Sequence, residues 1–236
     1  MQELLNGIGA IALYLIPAAC IMLSARKLLK IPDELFRKIL HFILLGAYIF
    51  FLFSFETWWI SAGVAAALIV VIYPILMLAG RIPAFSSFVN ERKEGEFKSS
   101  MVLALGVMTV SICICWGIFN DRYLVLASIY AWGVGDAFAA LIGKQFGKHK
   151  IRWKFADSRK SVEGSTAMFL TSALSVFIVL SLRGGLNIGD CLIIAMAAAL
   201  VCTIVEMCTT NGFDTVSCPA AAMAVIIPLV KLLGGF

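Results

Sequence analysis

The stretch TWWISAGVAAALIVVIYPILMLA, residues 57–79, runs for 23 positions without a charged side chain. A helix needs about 20 mostly apolar residues to cross the hydrocarbon core of a bilayer. The stretch is long enough to do so, and no polar face interrupts it. It therefore predicts a membrane-spanning α-helix, and the rest of the chain repeats the pattern.

The whole chain is too apolar for a soluble fold. Of its 236 residues, 61% are hydrophobic and 14% are charged, and the mean hydropathy is +0.98. Soluble domains usually contain about a quarter charged residues. We predict an all-α, polytopic membrane protein with about eight transmembrane helices, within a range of seven to nine, forming one integral-membrane domain over residues 1–236. The predicted helices cover residues 4–24, 39–55, 57–79, 100–119, 122–143, 164–182, 188–207 and 216–233. Because the last contains Pro219 and Pro228, a broken or tilted helix is compatible with it.

The basic residues predict the orientation in the membrane. Sixteen of the 19 Lys and Arg residues fall in alternate loops, those after the first, third and fifth predicted helices. Cytoplasmic loops carry an excess of Lys and Arg, so these loops are expected in the cytoplasm and both termini outside. The first apolar run follows Glu3 and precedes Arg26, which is typical of a spanning helix rather than of a signal peptide.

Several function classes find no support in the sequence. The seven cysteines are odd in number and form no CxxC pair, so neither a disulfide framework nor a zinc site is indicated. No nucleic-acid-binding motif is present, so nucleic acid is not an expected partner. The string ending at Gly143-Lys144 is not a P-loop, because Phe138 stands in place of the first Gly and Gln145 in place of Ser or Thr.

Arg37, Lys38 and His41 form the first candidate polar group. At spacings of three and four residues they share one helix face at the predicted membrane boundary. Arg offers a bidentate fork, Lys a point charge and His a proton carrier, which suits phosphate groups. A simple positive anchor at the membrane surface is the alternative.

Asp136 is the centre of the second group. A carboxylate inside an apolar helix is costly and is usually functional. Ala139, Ala140 and Gly143 continue its face as a strip of small residues, which lets a helix or a ligand approach closely. The alternative is helix packing, with Asp136 paired to a basic residue.

Further polar residues gather on the same predicted side of the membrane. Lys160, Glu163 and Gly164 share a face at the start of the sixth helix, where plain capping is the alternative. Glu206 and Asp214 flank the loop between the last two helices. The charged run around Glu94–Glu96 reads as a solvated surface, and residues 83–89 could form a short interfacial helix. Carboxylates can hold Mg²⁺ and basic side chains can hold phosphates, which together suit phosphoryl transfer.

The motifs occur in an order that resembles a known family. They are Arg37-Lys38-x-x-His41, Gly135-Asp136-x-x-Ala139-x-x-x-Gly143, Lys160-Ser161-x-Glu163-Gly164-Ser165, and Asp214 followed by Pro219. Together they resemble the polyprenol kinase family, which includes CTP-dependent dolichol, phytol and yeast-type diacylglycerol kinases. That family is distantly similar to phosphatidate cytidylyltransferase. The resemblance covers about residues 37–219. The family usually follows the late Asp with Asn, whereas Thr215 stands here. The Lys-Asp and His-Gly-Gly strings of the cytidylyltransferases are missing, which favours a kinase.

The resemblance implies a kinase that moves the γ-phosphoryl group of CTP to the hydroxyl of a lipid or isoprenoid alcohol, with Mg²⁺ as cofactor. The expected catalytic residues are Asp136, Lys160, Glu163 and Asp214. The expected metal ligands are Asp136 and Glu163. The expected nucleotide- and phosphate-binding residues are Arg37, Lys38, His41, Gly135, Gly143, Lys144, Ser161 and Gly164.

Two other functions stay open at this point. One is a CTP-dependent cytidylyltransferase that makes a CDP-lipid and releases pyrophosphate. The other is a non-enzymatic lipid-binding or transport protein that uses its basic loops for anionic headgroups. The sequence identifies neither the lipid alcohol nor the oligomeric state, although a homo-oligomer is compatible with it. The roles of Glu206 and Glu94–Glu96 are also left open.

Overall fold

The computed structural model describes residues 2–29, 31–81, 95–153, 156–210 and 212–236. Within these ranges the chain forms eight α-helices and no β-strand. A π-helical segment, Ile112–Ile118, continues the fourth of them. The helices are α1 Gln2–Leu28, α2 Asp33–Ser54, α3 Trp58–Ala79, α4 Glu96–Ser111, α5 Arg122–Phe146, α6 Val162–Arg183, α7 Ile188–Cys208 and α8 Asp214–Leu232. All eight spans are long and apolar enough to cross a membrane, which confirms the predicted fold class.

Several helix starts differ from the sequence-based expectation, most of all those of α2 and α4. Helix α2 begins at Asp33, six residues before the predicted start, because acidic Asp33 and Glu34 are favourable in a first helical turn. Helix α8 begins at Asp214, and it stays continuous through both of its prolines. The expected interfacial helix at residues 83–89 lies outside the described residues.

The chain divides into two compact units, residues 1–117 and 118–236. The prediction of one membrane domain over residues 1–236 stays a prediction. In the first unit α1 packs on α2 and α3 packs on α4. The Tyr14 hydroxyl donates to the carbonyl oxygen of Ile43 at 3.1 Å, and the Tyr48 hydroxyl donates to that of Ala104 at 3.1 Å. Such hydrogen bonds hold helices together where lipid removes most of the hydrophobic driving force.

The N-terminus of α3 is capped by a distant carboxylate. Glu3 Oε1 accepts hydrogen bonds from the backbone N–H of Glu56 and of Thr57, at 2.9 and 3.0 Å. It also accepts one from the Thr57 hydroxyl at 2.8 Å. The first N–H groups of a helix have no partner inside the helix, so a carboxylate satisfies them and complements the helix dipole. This contact ties the start of α1 to the start of α3.

The second unit is built around α5, which packs against both α6 and α8. The Ser172 hydroxyl donates to the carbonyl oxygen of Ala131 at 2.5 Å, and the Ser175 hydroxyl donates to that of Tyr130 at 3.2 Å. Both bonds join α6 to α5. The other face of α6 is apolar and exposed, as expected for a surface that meets lipid; it carries Leu170, Leu174, Ile178 and Leu182.

One end of the second unit is fixed by an ion pair. Arg183, in the last turn of α6, pairs with Asp121, and each side chain is 10% exposed. Asp121 also caps α5, accepting from the backbone N–H of Tyr123 at 2.9 Å. Arg183 donates to the carbonyl oxygen of Gly235 at 2.5 Å, beyond the end of α8. The pair therefore joins α5, α6 and the segment after α8.

Candidate active site

Lys160 and Glu206 form an ion pair at the other end of the second unit. The Lys160 ammonium contacts Glu206 Oε1, across 46 positions of sequence. Lys160 lies directly before Ser161, the N-cap of α6, and Glu206 lies in the last turn of α7. The Glu206 side chain is 2% exposed and that of Lys160 is 26% exposed. A buried carboxylate is thus held by a lysine that a ligand can still reach.

Two further carboxylates act on this lysine. Burial lowers the pKa of Lys160, but the charge of Glu206 and those of Asp136 and Asp214 outweigh the burial, so its pKa lies above the ordinary value. The four residues come from α5, the loop before α6, α7 and α8. We call Asp136, Lys160, Glu206 and Asp214 the charged cluster. The structure thus brings together three of the four predicted catalytic residues, Asp136, Lys160 and Asp214, and adds Glu206.

The loop before α6 holds Lys160 through its backbone. The Lys160 N–H donates to the carbonyl oxygen of Asp157 at 2.9 Å, and the Lys160 carbonyl accepts from the Ile151 N–H at 3.2 Å. The N–H of Asp157 donates to the carbonyl oxygen of Met207 at 2.9 Å, which ties the loop to the end of α7. These bonds fix the backbone that carries Lys160 next to the turn that carries Glu206.

Asp157 is itself held by Arg159. The two side chains form a bidentate contact, with the shortest N–O distance at 2.6 Å. The hydrogen bonds from Arg159 lower the pKa of Asp157 to about 2, and the same carboxylate raises the pKa of Arg159. Asp157 therefore stays ionised at every physiological pH, and the loop keeps this contact.

The strip of small residues on α5 is the contact surface for α6. A Cβ atom added to Gly164 would lie 2.9 Å from the carbonyl oxygen of Ala139 and 3.2 Å from the Cα of Gly143. A Cβ atom added to Gly135 would collide with the Ser172 hydroxyl. Gly135, Gly143 and Gly164 thus let two helices approach closely. Their predicted contact with a nucleotide stays a prediction.

Glu163, for which the motif resemblance implies a metal ion, contacts His149 in the structure. Its Oε1 lies 2.6 Å from His149 Nδ1, and its carboxylate accepts from the His149 N–H at 3.2 Å. Ser161 caps α6, because its hydroxyl accepts from the Gly164 N–H at 3.2 Å. Lys144, in the last turn of α5, is exposed. His149 is not predictable from the sequence, since no spacing rule links residues 14 positions apart across a loop.

The first basic group belongs to the other compact unit. Arg37, Lys38 and His41 lie within α2. Lys38 is buried, at 7% exposure, and an Arg37 nitrogen lies 3.7 Å from Glu34 Oε2. His41 is half-buried and its ring meets that of Phe42 edge to face. Their predicted role in phosphate binding stays a prediction.

Of the run at Glu94–Glu96, Gly95 adopts a left-handed φ of 76° at the N-cap of α4, and Glu94 lies outside the described residues.

The buried polar atoms of the second unit that lack a hydrogen-bond partner among the described residues include two close to the start of α6 and the end of α7. These two are Oε2 of Glu206 and the hydroxyl of Ser165. Buried polar atoms in folded proteins almost always have a partner. Both residues are at most 9% exposed. The hydrogen-bonding capacity of these two atoms is therefore unused among the described residues.

The described residues contain no group of three or more His, Cys, Asp or Glu side chains placed to hold a metal ion by themselves. Mg²⁺ commonly binds through one or two carboxylates together with substrate phosphates and water. Asp136 and Asp214 supply the oxygen donors that this mode requires. The residues present are thus compatible with Mg²⁺ arriving with a nucleotide. Glu163 contacts His149, and its predicted role as a metal ligand stays a prediction.

The fold and the charged cluster define a helical membrane protein with ionisable side chains gathered at one end of its second unit. The chain is similar to a protein named phytol kinase from Synechocystis sp., with 29% identity over 227 residues. That match covers 90% of this chain and 86% of the relative. It is also similar to a probable chloroplastic phytol kinase from Triticum aestivum, with 26% identity over 223 residues, covering 86% of this chain and 69% of the relative. These similarities confirm the resemblance to a polyprenol and phytol kinase-like family.

Two other comparisons gave no match. No family model matches the chain, and no solved structure matches it at a stringent level of significance. The relatives are named as kinases, and neither is named as a cytidylyltransferase. The distant relation to phosphatidate cytidylyltransferase therefore stays a prediction.

Proposed function

We propose that this protein is a membrane kinase that transfers the γ-phosphoryl group of CTP to the hydroxyl of an isoprenoid alcohol of the phytol type. The observation that carries the proposal is the charged cluster, with Lys160 among three carboxylates. It occurs in a chain that is similar to a phytol kinase over 90% of its length. The choice of CTP rests on the motif resemblance, and that of an isoprenoid alcohol rests on the names of the relatives.

The cluster has the groups that phosphoryl transfer needs. The Lys160 ammonium has three N–H donors, of which one is used on Glu206 among the described residues, and the others can serve phosphate oxygens. The alcohol oxygen forms a bond to the γ-phosphorus as the bond from that phosphorus to the β–γ bridging oxygen breaks, and CDP leaves. The alcohol proton passes to a carboxylate, Asp136 or Asp214, and from there to water. Catalysis of this kind depends mostly on positioning and on charge stabilisation.

Mg²⁺ belongs to the proposal as the partner of the nucleotide. Asp136 and Asp214 would hold it together with the phosphates, since carboxylate oxygens are its usual protein ligands. When bound, the ion neutralises charge on the phosphates. Lys160 would bind and orient the same phosphates from the loop before α6.

The two substrates of the proposed reaction approach the charged cluster from different phases, the membrane and the water. An isoprenoid alcohol keeps its tail among the spanning helices, while the nucleotide stays in water. The cluster draws on the end of α7, the start of α8, an inner position of α5 and the loop before α6, where both substrates can meet. The basic loops favour the cytoplasmic side for this meeting, by the positive-inside rule.

The test is a transfer assay with purified protein in detergent. The probes are Mg²⁺ with [γ-³²P]CTP or [γ-³²P]ATP, and phytol, a longer polyprenol, diacylglycerol or phosphatidic acid as acceptor. Label moving from CTP into an organic-soluble phytyl phosphate supports the proposal. Pyrophosphate release that depends on phosphatidic acid would instead establish a cytidylyltransferase. Tight binding of lipid without turnover of either nucleotide would establish a lipid-binding protein.

A further inference from the structure

Glu206 is the residue of the charged cluster that the motif resemblance leaves without a role. Its side chain is 2% exposed, and one carboxylate oxygen contacts the Lys160 ammonium. Its other oxygen has no hydrogen-bond partner among the described residues. Burying a charged carboxylate costs free energy, which a paired cation only partly offsets. The buried pair of Glu206 and Lys160 therefore suggests a role other than packing.

We propose that Glu206 is a positioning residue for Lys160, which it holds at the meeting point of α5, α7 and α8 so that the remaining ammonium donors serve the nucleotide phosphates. This inference rests on the proposed function, because it assigns Lys160 to the nucleotide. Glu206 acts through the lysine, and no contact between Glu206 and the substrate is required.

The backbone of the structure supports such an arrangement. The side-chain link from Lys160 reaches Glu206, and the backbone link from Asp157 reaches Met207, the next residue of α7. Two links thus converge on one helical turn. A lysine side chain is a long, flexible stem with a large rotamer entropy. Anchoring its head beforehand removes part of the cost of ordering it when a nucleotide binds.

The charges near Lys160 allow a test based on the direction in which CTP affinity changes when Glu206 is replaced. Asp136 and Asp214 act on the lysine from α5 and α8, Glu206 acts from α7, and Asp157 with Arg159 lies on the lysine's own loop. Replacing Glu206 by Gln removes one negative charge from this region. Coulomb attraction alone would then make an anionic nucleotide bind more tightly. Loss of positioning has the opposite effect, because the lysine is no longer held.

The first experiment needs no catalytic activity. The wild-type protein and E206Q, in detergent, are labelled with a trace of acetic anhydride, and acetylation of each lysine is measured by mass spectrometry. We expect labelling of Lys160 to rise about threefold or more in E206Q, because the lysine loses a partner that keeps it charged and in place. Lys231, exposed at the far end of α8, is the internal control. Unchanged labelling of Lys160 would overturn the positioning role, whatever the activity.

The second experiment is a double-mutant cycle in the CTP and phytol assay. We expect E206Q to lower kcat/KM for CTP about ten- to a hundredfold, mainly through KM. The double variant K160M/E206Q should be no worse than K160M by more than about twofold, since residues that act as one unit are not additive. E206D, which keeps the charge on a shorter stem, should recover part of the loss. D190N, the same carboxylate-to-amide change at the opposite end of α7, is the matched control.

The outcomes separate the two proposals. A wild-type protein that transfers no phosphoryl group from CTP or ATP overturns the proposed function, and the labelling experiment still decides whether Glu206 holds Lys160. Wild-type turnover with full activity of E206Q overturns the role of Glu206 alone. Tighter CTP binding by E206Q, or losses that multiply in K160M/E206Q, also overturns it, since Glu206 would then act independently of the lysine.

Discussion

The Cα of Gly143 on α5 lies 3.2 Å from the point where a Cβ on Gly164 of α6 would be. The two helices therefore touch through their backbones just before the loop that carries Lys160. Ser161 lies against both glycines, since its hydroxyl would be 3.3 Å from a Cβ on Gly143 and 3.2 Å from one on Gly164. The position of Lys160 thus depends on a contact that leaves no room for a side chain at Gly164 and little room at Gly143.

The first prediction concerns the close contact between α5 and α6 at Gly143 and Gly164. We expect Gly164→Ala to destabilise the protein by about 1–3 kcal/mol, the usual cost of overpacking, because its methyl group would meet the carbonyl oxygen of Ala139 at 2.9 Å. Thermal unfolding in detergent measures the effect, and activity should fall with it. Gly106→Ala in α4 is the matched control, since a Cβ there meets nothing within 4 Å. Equal stability of both variants would contradict the close approach of α5 and α6.

The second prediction concerns the carboxylate of α5. Asp136→Asn keeps the size of the side chain and removes its charge, so expression and unfolding temperature should stay near those of the wild type. We expect transfer from CTP to phytol to fall by about 10²–10⁴-fold, the usual loss when an acid–base group is removed. Turnover within a few-fold of wild type would remove Asp136 from the mechanism. Asp190→Asn serves as the control for the same chemical change.

The third prediction concerns pH. The pKa of Asp157 is about 2 in the folded protein, against an ordinary value of 3.8. A lowered folded-state pKa adds stability that is present above the ordinary value and is lost as the pH falls through the folded value. We expect Asp157→Asn to unfold at a lower temperature than the wild type at pH 7. The difference should shrink between pH 4 and pH 2, as read from unfolding scans at each pH. A difference that does not change with pH would mean that the charge of Asp157 is not responsible.

The fourth prediction separates stability from catalysis. Arg183 and Asp121 pair at the end of the second unit opposite to the charged cluster, and each is 10% exposed. Arg183→Gln leaves Asp121 without its cation, so we expect a loss of about 3–5 kcal/mol in stability, as for other broken buried pairs. The KM for CTP, measured on the folded fraction at low temperature, should stay within about twofold of wild type, because coupling between distant sites is small. A large change in KM would show that this end of the unit influences the nucleotide site.

Much of the fold follows from local composition. Eight apolar runs predict eight helices because each run alone is long enough to cross the bilayer, and the structure has all eight among the described residues. The ends of the helices are less predictable from apolar runs, as the early start of α2 shows. Polar residues such as Asp33 and Glu34 are excluded from an apolar window, yet they are well suited to a first helical turn.

The membrane fold, the small-residue strip after Asp136 and the family resemblance all follow from the amino-acid sequence alone. Each of these depends on residues close together in the chain. The pairing of Lys160 with Glu206 and of Glu163 with His149 follows from the three-dimensional fold instead. The partner of a charged side chain depends on which helix ends and loops meet, and sequence spacing does not record this. Burial makes the pairing of Glu206 specific. A carboxylate that is removed from water is strongly destabilising unless a cation contacts it in the folded protein.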